Sequence, residues 1–142
     1  MSHVREGGCM CGAVRYRVEG PMRPIVMCHC EQCRRMTGHF LAATAARRRD
    51  FHLTGEDALA WYSASPAARR GFCRHCGSTL FWEAVGRDTL SIAAGSLDDA
   101  RGLAVDCHIF AGERGAYYRI EDGARVFEGD ATIEWHPAGD AA

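Results

Sequence analysis

Seven of the eight cysteines fall into three short clusters: Cys9-Met-Cys11, Cys28-His-Cys30-Glu-Gln-Cys33 and Cys73-Arg-His-Cys76. Sulfurs this close along a chain can converge on one ion, and zinc coordination is the chemistry they point to. Four of the seven would close a tetrahedral site, and the remaining three would hold a second ion with one corner open. An open corner is what substrate chemistry at a metal requires.

Disulfides are the competing use of so many cysteines, and they belong to oxidising compartments. The opening Met1-Ser-His-Val-Arg-Glu-Gly-Gly8 has no apolar stretch of signal-peptide type, and no long apolar run follows. A cytoplasmic chain with no membrane span is therefore expected. On an extended strand, cysteines one residue apart point to opposite faces and bridge each other poorly. Metal is the favoured reading.

Cys73-Arg-His-Cys76-Gly77 resembles a zinc knuckle, with a glycine free to complete the tight turn after the second sulfur. Cys9 and Cys11, flanked by glycines, are a suitable second pair, and the four thiolates would make a structural site joining points about sixty residues apart. Spacing alone equally allows the knuckle to pair with two cysteines of the middle cluster. In that middle cluster Cys28, Cys30 and Cys33 sit at the entrance to a short helix, whose N-terminal dipole favours thiolate. Three thiolates leave about one excess negative charge on a Zn²⁺ site, which polarises water poorly but suits a soft incoming thiol. Arg34 and Arg35 next door are the candidates to balance that charge or to bind the carboxylates of an acidic ligand.

Other chemistry-bearing residues are fewer. His29 is expected to point away from the ion and His75 toward solvent. Cys107 and His108 are neighbours on an expected strand, so at most one of them reaches the open site. Cys107 reads as a small buried apolar residue, and its role stays open. His108 reads as a core or supporting histidine, with an acid/base role as the alternative.

The elements that must position these groups are mostly strands. Val14, Tyr16 and Val18 alternate with arginines, and Gly20-Pro21 then breaks the strand. Further strands are expected at 25–28, 39–45, 51–55, 59–63, 70–73, 79–83, 89–93 and 106–110, forming a sheet-rich sandwich or barrel-like domain. Glu31–Met36 reads as a short helix ended at Thr37-Gly38, with a second helical turn near 97–100. The stretch 41–46, rich in alanine, fits strand or helix.

At 142 residues, 47% apolar and 25% charged, the chain reads as one domain over 1–142 with a frayed tail at 137–142. A formal charge of −1 argues against nucleic acid as the main partner, and the arginine runs 34–35, 47–49 and 69–70 read as solvated faces.

The segments Gly8-Cys-Met-Cys-Gly-Ala-Val-Arg-Tyr16, Cys28-His-Cys-Glu-Gln-Cys-Arg-Arg-Met-Thr-Gly38, Phe72-Cys-Arg-His-Cys-Gly-Ser-Thr-Leu80, Gly95-Ser-Leu-Asp98 and His108-Ile-Phe110 carry a resemblance. Over about 8–127 they resemble the glutathione-dependent formaldehyde-activating enzyme and centromere protein V family. The resemblance implies a mainly β fold of the β-tent type: small antiparallel coiled sheets around zinc, with one or two short helices. It implies a structural zinc on Cys9, Cys11, Cys73 and Cys76, and a functional zinc on Cys28, Cys30 and Cys33 that an isolated protein can lose. It also implies a carbon–sulfur lyase, in whose named reaction glutathione and formaldehyde give S-hydroxymethylglutathione. The partner would be a small-molecule thiol, glutathione first, bound by a monomer or homodimer. A thiol carrier without turnover and a zinc-stabilised interaction module are the alternatives. The stretch 111–118 departs from the Ser-Lys and Trp-rich pattern of many relatives, and Cys107 falls outside the family's ligand set.

Overall fold

The computed structural model describes residues 4–131 and Ile133, so the tail at 137–142 lies outside the described residues. Alternation builds the first sheet. Arg15–Glu19 (β2) turns Tyr16 and Val18 inward and its charged residues outward. Val4–Gly8 (β1) and Phe51–Thr54 (β5) pair antiparallel on either side of it. Here β1 has no alternating apolar residues to announce it, and it escapes a reading by periodicity.

The second sheet has eight strands. They are Ile25–Cys28 (β3), Leu41–Arg47 (β4), Leu59–Ser65 (β6), Ala68–Cys73 (β7), Thr79–Ala84 (β8), Thr89–Ala93 (β9), Val105–Ile109 (β10) and Arg125–Val126 (β11). In space they run β11-β10-β3-β4-β9-β8-β7-β6. All neighbours pair antiparallel except β10, which runs parallel to both β3 and β11. The fold is mainly β, as expected, but the larger sheet is mixed. The long chain between β3 and β10 provides the crossover that a parallel pair needs.

The ambiguous alanine-rich stretch is β4. It sits in the middle of the sheet with residues 43–46 buried on both faces, which small side chains permit. The helical turn expected at 97–100 lies instead at Ala94–Ser96, as a 3-10 turn. The core forms where the sheets meet. Tyr16 of β2, Phe51 of β5 and Phe81 of β8 pack with ring centroids 5.3–5.7 Å apart. Burial pushes the Tyr16 phenol up to about 12, although the Ser96 hydroxyl lies 2.7 Å from its oxygen.

Candidate metal centre

The first cluster is assembled by two turns. After β1 the chain turns through Cys9–Gly12, with the Gly12 N–H on the Cys9 carbonyl at 3.2 Å. That turn frees Cys9 and Cys11 from strand alternation and brings their sulfurs to 3.6 Å. After β7 the knuckle closes with the Gly77 N–H on the Cys73 carbonyl at 2.8 Å, Gly77 taking the φ of 78° that favours glycine. Cys11 and Cys73 sulfurs lie 3.7 Å apart. A tetrahedral zinc with Zn–S near 2.3 Å would place its sulfurs roughly 3.8 Å apart, so this donor set fits the ion. All four sulfurs lie within 4.8 Å of one another. Cys9 and Cys73 are in the core, while Cys11 and Cys76 are exposed. The N–H groups of Val14 and His75 donate to the Cys9 and Cys73 sulfurs at 3.3 and 3.4 Å. The Ser78 hydroxyl, 3.1 Å from Cys76, helps hold that thiol down to about 5. His75 is exposed, as expected.

The second cluster comes from one turn of chain. Cys28 ends β3, and Cys30 is the N-cap of the helix Glu31–Thr37 (α1), its sulfur accepting from the Cys33 N–H at 3.4 Å. Gly38, at φ 87°, ends the helix, as its position in the sequence indicates. The three sulfurs lie within 4.8 Å of one another, and no fourth cysteine, histidine or carboxylate joins them among the described residues. The two clusters are thus separate, which resolves the alternative pairing of the knuckle. Hydrogen bonds from Cys28 and then Cys33 hold Cys30 down to about 2, with Arg70 adding to the effect. The same contact with Cys30 pushes Cys28 far above the ordinary thiol range. All eight cysteines are unbridged.

The surroundings of this cluster are richer than the sequence suggests. His29 does point away from the sulfurs, into a buried chain of hydrogen bonds. The Tyr118 hydroxyl lies 2.5 Å from His29 Nδ1, His29 Nε2 lies 2.8 Å from His108 Nδ1, and His108 Nε2 lies 2.8 Å from an Asp122 carboxylate oxygen. A carboxylate only accepts, so His108 Nε2 donates to Asp122; with His108 neutral, His29 in turn donates to His108 and the Tyr118 O–H donates to His29. Burial, reinforced by the facing His108, lowers His29 to about 4, which keeps that ring neutral. Both nitrogens of His108 are therefore taken, and it can act on a substrate only through its neighbours. Tyr118 and Tyr117 continue into an aromatic wall with His39 and Phe40, where ring centroids lie 4.3–6.1 Å apart. The loop carrying the tyrosines leaves β10 through Phe110, which adopts φ 52°. It is tied to the helix start by the Glu31 N–H on a Glu113 carboxylate oxygen at 3.1 Å.

Of the two arginines expected here, Arg35 is exposed and its Nε donates to Glu31 at 2.9 Å. Arg34 is half-buried, with its Nε lacking a partner. Cys107 is fully buried beside β3 in neither cluster. The cation that reaches the sulfurs is Arg70 of β7, whose Nη atoms lie 3.5 and 3.6 Å from Cys33 Sγ. The run Arg69-Arg70 does not form a solvated face, because adjacent strand residues face opposite ways. Arg69 lies over the Trp61 ring at 4.0 Å while Arg70 is 4% exposed. That parity was the available signal for Arg70.

The glutathione-dependent formaldehyde-activating enzyme family matches residues 4–113. The chain belongs to this family. It is also 23% identical over 131 residues to an uncharacterized lyase of Schizosaccharomyces pombe, covering 91% of this chain and 94% of that protein. A crystal structure of a Rhodobacter sphaeroides protein superposes with a TM-score of 0.54 at 28% identity, covering 66% of this chain and 87% of that one. Among the described residues, no helix is long and apolar enough to cross a membrane.

Proposed function

We propose that this family member is a carbon–sulfur lyase-type enzyme that joins a small-molecule thiol, glutathione first, to a small aldehyde such as formaldehyde. The observation that carries the reading is the three-sulfur cluster of Cys28, Cys30 and Cys33 with no fourth protein ligand among the described residues. Zinc bound there would supply one Lewis-acid corner that keeps an incoming sulfur as its thiolate. The protein's residues do the rest. In the reaction with formaldehyde the S–C bond forms, the C=O π bond opens, and the proton lost by the thiol ends on the new hydroxyl oxygen. Tyr118, backed by His29, His108 and Asp122, presents a phenol oxygen beside the aromatic wall as the group to handle that proton. Arg34 and Arg35, on the helix that holds Cys33, are the cations to take the carboxylates of a glutathione-like ligand. Cys9, Cys11, Cys73 and Cys76 would hold a second, structural zinc.

The test is to follow S-hydroxymethylglutathione by NMR after mixing glutathione and formaldehyde with zinc-loaded protein. Acceleration above the spontaneous rate, lost in Cys30→Ser, is expected. Saturable glutathione binding without acceleration would make the protein a carrier and end the enzymatic reading.

A further inference from the structure

The buried guanidinium of Arg70 is a cation in search of an anion. Its side chain is 4% exposed, its Nε has no partner, and one Nη donates to Gln32 Oε1 at 3.2 Å. Both Nη atoms otherwise reach Cys33 Sγ, and no carboxylate pairs with it among the described residues. Arginine does not give up its proton inside proteins, and an uncompensated buried charge is strongly destabilising. Among the described residues, the Cys33 sulfur is therefore the one partner of Arg70 that can carry the opposite charge.

We propose that Arg70 is the positioning residue and internal counter-ion of the three-cysteine metal site, neutralising its surplus charge and so setting its metal affinity and its tolerance for an incoming thiolate. The inference rests on the reading that Cys28, Cys30 and Cys33 hold a metal. Three thiolates on a divalent zinc leave about one negative charge, and a fourth sulfur adds another. A guanidinium fork on Cys33 offsets the first, so the ligand can arrive without building a doubly charged centre in a partly buried place. It also fixes Cys33, because the fork is itself held by Gln32 one residue earlier on the helix. The positive charge comes from a distant strand, while the adjacent Arg35 spends its Nε on Glu31. The same strand ends in Cys73, so the structural cluster holds in place the strand that serves the open one.

Zinc affinity, measured by competition with a chromophoric chelator, separates the two ideas. Wild-type protein should hold two ions, the weaker at the open cluster. Arg70→Met should weaken that ion alone by roughly 10–100-fold, the range typical for residues that support metal ligands, while Arg70→Lys recovers most of the loss. Should Arg70→Met fail to fold, Arg70→Gln tests the same loss of charge. Independently, in the wild type, the Arg70 Nη–H signals in ¹⁵N NMR should become resolved and protected from water exchange when the second ion binds. A wild type that binds one ion would sink the metal reading itself. Two ions with an unchanged second affinity in the neutral variants, or a freely exchanging Arg70 in the loaded wild type, would overturn the role of Arg70 and leave the metal site standing.

Discussion

Cys9, Cys11, Cys73 and Cys76 come from two turns far apart in sequence, whereas Cys28, Cys30 and Cys33 come from a single stretch of six residues. The first cluster joins the core through Cys9 and Cys73 and is complete in sulfur. The second lies at a helix start, lacks a fourth ligand among the described residues, has a cation on Cys33, and encloses His29, which opens a buried histidine pair. A cross-link between distant turns is worth most to folding, because it removes loop freedom from the unfolded chain, about 4 kcal/mol for a closure of this span. A cross-link within six residues removes little. Number of ligands and sequence span thus support the proposed division, in which one cluster serves stability and the other chemistry.

The sharpest way to break that comparison is to remove one sulfur from each side. Cys73→Ser should abolish the cooperative thermal transition seen by circular dichroism, since it opens the closed site and loosens β7. Cys33→Ser should keep the transition, bind one zinc fewer and lose thiol binding. A Cys73→Ser protein melting within a few degrees of wild type would remove the distinction. Limited chelator should act in the same order, taking the open cluster's ion first and leaving the fold intact.

Much of this division is legible in the sequence because metal-ligand spacing and strand alternation are local signals. The Cys-x-x-Cys turn with its glycine, the alternation of β2 and the helix ended by Gly38 all stand out within a few residues. What escapes is long-range. Arg70 meets Cys33 across 37 residues, and Tyr118 meets His29 across 89. No periodicity encodes which distant strand lies over a helix start. The parallel placement of β10 beside β3, which brings His108 to His29, is likewise a property of topology. β1 escapes for a different reason, since Val4–Gly8 carries glycines and charges and is held by its partner β2.

A weaker effect is expected from the end of the hydrogen-bond chain. Asp122→Asn replaces an obligate acceptor with an amide that can donate, so the tautomers of His108 and His29 are no longer fixed. Turnover should fall on the order of tenfold, less than for a group acting directly on substrate, while zinc content and melting temperature stay unchanged. Tyr118→Phe should lose at least as much. Activity in Asp122→Asn equal to wild type would confine the chain to a structural role.

Away from both clusters, Tyr16 gives a control on the shared core. Its phenol is raised to about 12 by burial, against about 10 in an unfolded chain. The unfolded state therefore ionises first as pH rises. The stabilisation is complete below about pH 10 and is lost as pH climbs through about 12, up to about 3 kcal/mol. Urea denaturation of wild type and Tyr16→Phe at pH 9 and pH 11 should show the wild type losing ground at the higher pH and the variant losing less. Parallel pH dependence in the two proteins would assign the alkaline loss to other groups.

The smallest effect separates two neighbours on the helix. Arg34 is half-buried with an unpartnered Nε, while Arg35 is exposed and paired with Glu31. An exposed pair of this spacing is worth about 0.3–0.5 kcal/mol, so Arg35 can leave Glu31 for a ligand carboxylate with little net gain. A partly desolvated Arg34 gains more from the same carboxylate, on the order of 1.5 kcal/mol. Arg34→Gln should therefore weaken glutathione about tenfold, Arg35→Gln about twofold or less, and neither should change the affinity for 2-mercaptoethanol, which has no carboxylate. Equal losses for both thiols would mean that the arginines act on the sulfur cluster itself, and the carboxylate role would have to be abandoned.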